Sequence, residues 1–238
     1  MILLMVFVFY YSKYFSIKYT QSEWYKTHLI FGSKSVLLGF LSETNNKIDV
    51  FLISFFLSNY YVGIYSFAAE IAKGFLIIGS VVQLNVNPLV SDLWERENIS
   101  ALQKYTWRIS KMMLLLMGTV LLSVAVIYPF FVKLFMTDIN YLESIPVFYI
   151  LLPGILMLGI YNFAGGYLSM ANFLNVALKN LIIIIIFTVV SCTIFIHFLG
   201  FYGAALSTSS TFILTALLIH NFVKNKMGIG LINFNMNK

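Results

Sequence analysis

The sequence predicts an all-α, polytopic membrane helix bundle with six full transmembrane helices preceded by a truncated one. Three observations carry this. Of 238 residues, 60% are hydrophobic and only 10% charged, with a mean hydropathy of +0.89; soluble domains run near a quarter charged. Six apolar stretches are long enough to cross a bilayer core of about 30 Å, which takes about 20 helical residues. The basic residues segregate to alternate connections, as the positive-inside rule requires.

The first apolar run, residues 2–11, has about ten strongly apolar residues, too few to span. No Lys or Arg precedes it, so it lacks the n-region of a signal peptide and reads as the end of a transmembrane helix whose beginning is missing. The full crossings are expected at about 27–57, 60–90, 107–135, 146–170, 176–198 and 202–223. Several exceed one bilayer thickness, which implies tilt or protrusion into the headgroups. The first is interrupted by Ser42, Glu43, Thr44, Asn45, Asn46, Lys47 and Asp49. A loop there would leave two pieces too short to span, so one long helix with a polar middle is expected.

Six crossings place Lys13, Lys18, Lys26, Lys34, Arg96, Lys104, Arg108, Lys111, Lys179, Lys224, Lys226 and Lys238 on one side, against Lys133 on the other. That asymmetry sets the C-terminus cytoplasmic. The chain then divides into residues 1–26, a truncated transmembrane helix and cytoplasmic linker; 27–225, a six-helix transmembrane bundle; and 226–238, a cytoplasmic tail. The net charge of +6 belongs to this topology rather than to a nucleic-acid partner. In the connection at 91–111, Ser100 and Gln103 have capping-box spacing, and Trp94, Tyr105 and Trp107 suit the membrane interface.

No enzyme constellation stands out. His28, His197 and His220 lie near expected helix ends on both sides of the membrane, so no metal site or cofactor is expected. Cys192 is the single cysteine, which excludes an internal disulfide and reads as a buried small side chain. Phosphate-binding glycine loops and nucleophile elbows are absent. Pro153, Gly154, Gly159, Gly165 and Gly166 share one helix, either for close packing or as a hinge.

The informative residues are Glu43, Lys47, Asp49, Glu70 and Lys73, all inside the first two full helices. A charge facing lipid near the bilayer centre costs about 2.5–3.5 kcal/mol, so five of them do not form a lipid-facing surface. With the hairpin turn near Asn59, Asp49 and Glu70 fall at similar depth, about 15 Å down, with Lys47 and Lys73 slightly deeper. Glu43 and Lys47 share a face at i, i+4, as do Glu70 and Lys73 at i, i+3; Asp49 points about 200° away from Lys47. Two readings stand: a polar cavity touching substrate or a coupling ion, with at least one acid and one lysine facing it, or charge pairs that hold two helices together.

Ile48-Asp49-Val50-Phe51-Leu52-Ile53, Tyr61-Val62-Gly63-Ile64-Tyr65-Ser66-Phe67-Ala68-Ala69, Pro88-Leu89-Val90-Ser91-Asp92-Leu93 and Gly200-Phe201-Tyr202-Gly203-Ala204-Ala205-Leu206-Ser207, in that order and spacing, resemble polysaccharide and O-antigen flippases of the multidrug/oligosaccharidyl-lipid/polysaccharide exporter superfamily, over about residues 27–225. The resemblance implies two six-helix bundles around a central cavity, of which this chain supplies the C-terminal one, with residues 2–11 ending the sixth helix. It implies a membrane transporter, not an enzyme, in the bacterial inner membrane, moving an undecaprenyl-pyrophosphate-linked O-antigen or polysaccharide repeat unit to the outer leaflet. On that reading Lys47 and Lys73 supply positive charge for pyrophosphate, and Glu43, Asp49 and Glu70 take a coupling cation or proton. Its partners are the lipid-linked oligosaccharide, membrane lipids, and the missing N-terminal bundle or a second copy. The alternatives are a multidrug or cation antiporter of the same superfamily, a membrane polymerase or acyltransferase, for which the outside loops are short, and an inactive truncated remnant.

Overall fold

The computed structural model describes residues 22–136, 138–170 and 173–230. The expected truncated helix at 2–11 and the last eight residues of the tail lie outside the described residues. The described elements are α1 (Ser22–Phe56), α2 (Asn59–Gly74), α3 (Leu76–Glu95), α4 (Ile99–Phe135), a 3-10 turn (Ile139–Glu143), α5 (Ser144–Tyr161), a second 3-10 stretch (Asn162–Gly166), α6 (Tyr167–Met170), α7 (Leu174–Leu199) and α8 (Phe201–Met227), with no strand among them.

The long helix with a polar middle is present: α1 runs unbroken for 35 residues through the Ser42–Asp49 interruption. Four of its hydroxyl side chains are satisfied within the helix. Ser33, Ser35, Thr44 and Ser54 donate to the carbonyls of Ile30, Phe31, Phe40 and Phe51, so these four hydroxyl donors are met without water. The crossing count differs from expectation. Five described stretches, not six, are long and apolar enough to cross a membrane: Asn59–Glu95, Ile99–Phe135, Ile139–Gly166, Leu174–Leu199 and Phe201–Met227. The one that falls short is α1, because its polar residues and charges dilute every apolar window.

The second crossing is interrupted at Phe75, whose N–H donates to the Ala72 carbonyl three residues back at 3.3 Å, between α2 and α3. The capping expectation is corrected: Asn98, not Ser100, caps α4, accepting from the Ala101 N–H at 3.1 Å. Asn98 stands after the sharp turn at Glu97, which has φ +54°. Gln103 is thereby released for a different partner. Its side chain donates to the Gly230 carbonyl and accepts from the Gly230 N–H, each at 2.6 Å, fastening the segment after α8 to the start of α4. Ile229 is fully buried beside it. The basic residues of the α3–α4 connection and those at the end of α8 thus share one end of the bundle.

Pro129 in α4 has no N–H for the Ala125 carbonyl; the Tyr149 hydroxyl of α5 donates to it at 2.8 Å. Helix α5 continues through Pro153 and gives way at Asn162 to the 3-10 stretch that holds Gly165 and Gly166. Helices α5 and α8 form the centre. They approach so closely at Gly154 that a Cβ there would lie 2.5 Å from the Ser209 carbonyl oxygen, and the Gly154 N–H donates to Ser209 Oγ at 3.1 Å. The Gly200-Phe201-Tyr202-Gly203-Ala204-Ala205 run has a local cause. Gly200 takes φ +59° to end α7 and start α8, and Ala204 and Ala205 are wholly buried in the contact that follows.

The outer surface inverts the rule for soluble proteins. Phe55, Leu122, Leu134 and Phe198 are each more than 70% exposed, an arrangement suited to acyl chains rather than water. The interior carries small and hydroxylated residues. Ser191 and Ser207 join α7 to α8 at 2.6 Å, and Thr188 and Thr211 at 3.2 Å. Such bonds contribute about 0.6 kcal/mol each between helices in a bilayer, so close packing of small residues carries more of the association.

Candidate functional site

A cavity of about 470 Å³ opens between α1, the α2–α3 junction, α5, α7 and α8. Its polar lining is Ser42, Glu43, Asn45, Asn46 and Lys47 from α1, Glu70 and Lys73 from α2, Ser80 from α3, Asn162 and Thr215; Leu76, Ile77, Leu158, Leu181, Ile184 and Phe212 complete it. Asn162 braces the wall at the junction, donating to the Leu76 carbonyl at 3.1 Å and to Ser80 Oγ at 3.2 Å. Polar and apolar surface alternate here inside a chain whose exterior is apolar.

The five charged residues resolve into two ion pairs and one acid with no ion pair among the described residues. Lys47 Nζ lies 2.6 Å from Glu70 Oε1, with both side chains more than half exposed in the cavity. Lys73 Nζ lies 2.7 Å from Asp49 Oδ2, with side-chain exposures of only 16% and 3%. Glu43 lines the same cavity one turn before Lys47. The 200° separation of Lys47 and Asp49 on α1 therefore becomes two distinct contacts with α2.

Asp49 holds more than a lysine. Its Oδ2 also accepts from the Tyr65 hydroxyl at 2.5 Å and from Thr208 Oγ1 at 3.1 Å, while Oδ1 accepts from the Val50 N–H at 2.9 Å. Lys73 additionally donates to the Asn46 carbonyl at 3.0 Å. One carboxylate thus ties α1, α2 and α8 together. A space of about 20 Å³ beside it, lined in part by Asn45, Thr188 and Thr211, has room for about one water.

The two pairs differ in what they do. An exposed pair such as Lys47–Glu70 is worth about 0–1 kcal/mol, so its partners can exchange for other ions with little loss. Removing one member of a buried pair leaves a charge uncompensated, at about 3–5 kcal/mol, so Lys73 and Asp49 are held to each other. Lys47, Glu70 and Glu43 are consequently the more exposed charges of the cavity lining, with Lys73 largely covered beside Asp49.

Tyr65 and Thr208 were not among the residues expected from sequence. Tyr65 stands two helical turns before Lys73, at i and i+8 with Ala69 between, so the helical period already places it on the face of Lys73. Thr208 is 159 positions from Asp49, and nothing local to it announces the contact.

The family model described as a polysaccharide biosynthesis protein matches residues 1–146. No curated protein matches the sequence. Among solved structures, the fold is similar to the outward-facing conformation of a multidrug resistance MATE family transporter of the MOP superfamily, with TM-score 0.71 and 16% identity over 83% of this chain and 44% of that one. It is also similar to a MOP superfamily transporter from Pyrococcus furiosus described as having a binding pocket of reverse polarity, with TM-score 0.69 and 16% identity over 85% of this chain and 45% of that one. The chain spans less than half the length of these structures. A bundle with the fold of MOP superfamily transporters and a match over more than half its residues belongs to the polysaccharide biosynthesis protein family.

Proposed function

We propose that the chain is one bundle of a flippase that moves an undecaprenyl-pyrophosphate-linked O-antigen or polysaccharide repeat unit from the cytoplasmic to the outer leaflet of a bacterial inner membrane, with its C-terminus cytoplasmic. The observation that carries the reading is the charged cavity inside an otherwise apolar bundle. Sugars need a hydrated route with hydrogen-bonding groups, and Ser42, Asn45, Asn46, Asn162 and Thr215 furnish them. The pyrophosphate needs a cation that is free to exchange partners, and Lys47 fits that need better than Lys73, which is committed to Asp49. Glu70 and Glu43 stand where a coupling proton or cation can reach them. The second wall of the cavity comes from a six-helix bundle supplied by another chain or by a second copy. Twelve-to-one segregation of basic residues supports the orientation.

The test is reconstitution. Proteoliposomes holding the chain with an N-terminal six-helix bundle of a flippase are expected to move a fluorescent lipid-linked oligosaccharide between leaflets, and the Lys47→Gln chain to lose most of that rate. A transporter that shifts drug susceptibility in cells while surface polysaccharide is unchanged would replace this reading with a multidrug antiporter, for which the cavity acids Glu43 and Glu70 speak. An unchanged leaflet distribution in every combination would mark an inactive remnant.

A further inference from the structure

The first turns of α4 carry a basic stripe that the cavity does not use. Lys104, Arg108 and Lys111 follow one another at i, i+4 and i+7, a single helix face, and all three are exposed. None has a carboxylate within ion-pair distance among the described residues. The opposite face of the same turns is buried at Leu102, Thr106 and Ser110, so the stripe looks away from the bundle.

Depth follows from length. Helix α4 has 37 residues, about 55 Å at 1.5 Å per residue, against a hydrocarbon core of about 30 Å. The run after Lys111 is uncharged until Lys133, which puts Lys111 at the edge of the core. Lys104 is seven residues beyond, about 10 Å further out, a few ångströms past a headgroup layer about 5–8 Å thick. Lys111 Nζ sits 3.6 Å from the centroid of the Trp107 ring, an aromatic group suited to that layer. The stripe is also held in place. Gln103, next to Lys104, is fastened to Gly230, and Thr106 Oγ1 shares a 3.1 Å hydrogen bond with the Tyr167 hydroxyl.

We propose that Lys104, Arg108 and Lys111 form a docking surface for the headgroups of anionic phospholipids. Charge complementarity selects the occupant: three cations at headgroup depth and just outside it, with no acid paired to them among the described residues, face the phosphates of the surrounding leaflet. A zwitterionic lipid presents its own cation there and competes poorly.

Native mass spectrometry of the full chain, purified with equal phosphatidylglycerol and phosphatidylcholine, tests this. The wild type is expected to retain phosphatidylglycerol preferentially, and K104Q/R108Q/K111Q to lose the preference by roughly fivefold per cation removed. Arg108→Gln alone, a single exposed change, is expected to lose roughly fivefold and keeps the test informative if the triple variant folds poorly. K224Q/K226Q, which removes two exposed lysines of the same end, is expected to retain the preference. Equal retention by wild type and variants overturns the proposal. So does an equal loss in K224Q/K226Q, which would mean net charge alone, or an acidic protein released from the wild type by the triple substitution.

Discussion

Lys73 reaches back across the α1–α2 hairpin to place its ammonium 2.7 Å from the Asp49 carboxylate, in a largely buried contact at the cavity wall, while Lys47 makes a similarly short contact with Glu70 in the open. Same chemistry and similar distance, with different burial, give the two pairs different work.

Breaking the buried pair should damage the fold. Asp49→Asn or Lys73→Met is expected to lower stability by about 3–5 kcal/mol, read as loss of monodisperse protein in a detergent melt. Replacing both at once should recover much of that loss, because no charge is then stranded. A single variant that melts with the wild type would remove Asp49 from its place as the tie between three helices.

Lys47→Gln and Glu70→Gln should each change stability by no more than about 1 kcal/mol. Their effects on an anionic cargo should run in opposite directions. Glu70→Gln frees the Lys47 ammonium and should tighten retention of a pyrophosphate lipid, whereas Lys47→Gln should weaken it. Two shifts of the same sign in an equilibrium binding assay would mean that the pair acts only as a brace.

Gly154→Ala should cost about 1–3 kcal/mol by overpacking, since its Cβ would meet the Ser209 backbone of α8 at 2.5–2.7 Å. Gly63→Ala, where nothing lies within 4 Å, should be neutral or slightly stabilising through helix propensity. Thermal unfolding of the two proteins side by side distinguishes them.

Gln103→Leu removes both hydrogen bonds to Gly230 while keeping side-chain bulk. The end of α8 should then fray, and limited trypsin digestion should cut faster at Lys224 and Lys226. Unchanged cleavage would show that burial of Ile229 holds the segment without Gln103.

Much of this was legible in the residues because membranes simplify the problem. The long apolar runs located α4, α5, α7 and α8 to within a few residues at most ends, and the hairpin turn near Asn59 followed from hydropathy. The continuity of α1 was legible too, since neither half of a broken helix would span. That α1 still falls short of a spanning composition is the cost of the charges it carries. Depth arithmetic brought Lys47, Asp49, Glu70 and Lys73 to one level but not into their pairs, because half a turn of helix decides which lysine meets which acid. The break at Phe75, the Asn98 cap and the Gln103 clamp were hidden for another reason: each depends on a partner from elsewhere in the fold. Asn162 bracing the α2–α3 junction from 86 positions away is of the same kind.

The pairing of α1 with α2 also bears on how the chain enters its membrane. An insertion machine that tests segments one at a time meets in α1 a helix with Glu43, Lys47 and Asp49 near its middle, each unfavourable by about 2.5–3.5 kcal/mol when unpaired. The counter-charges arrive only with Glu70 and Lys73, more than twenty residues later. The α1–α2 hairpin, which holds both ion pairs, is therefore the expected unit of insertion, because α1 alone carries its charges unpaired.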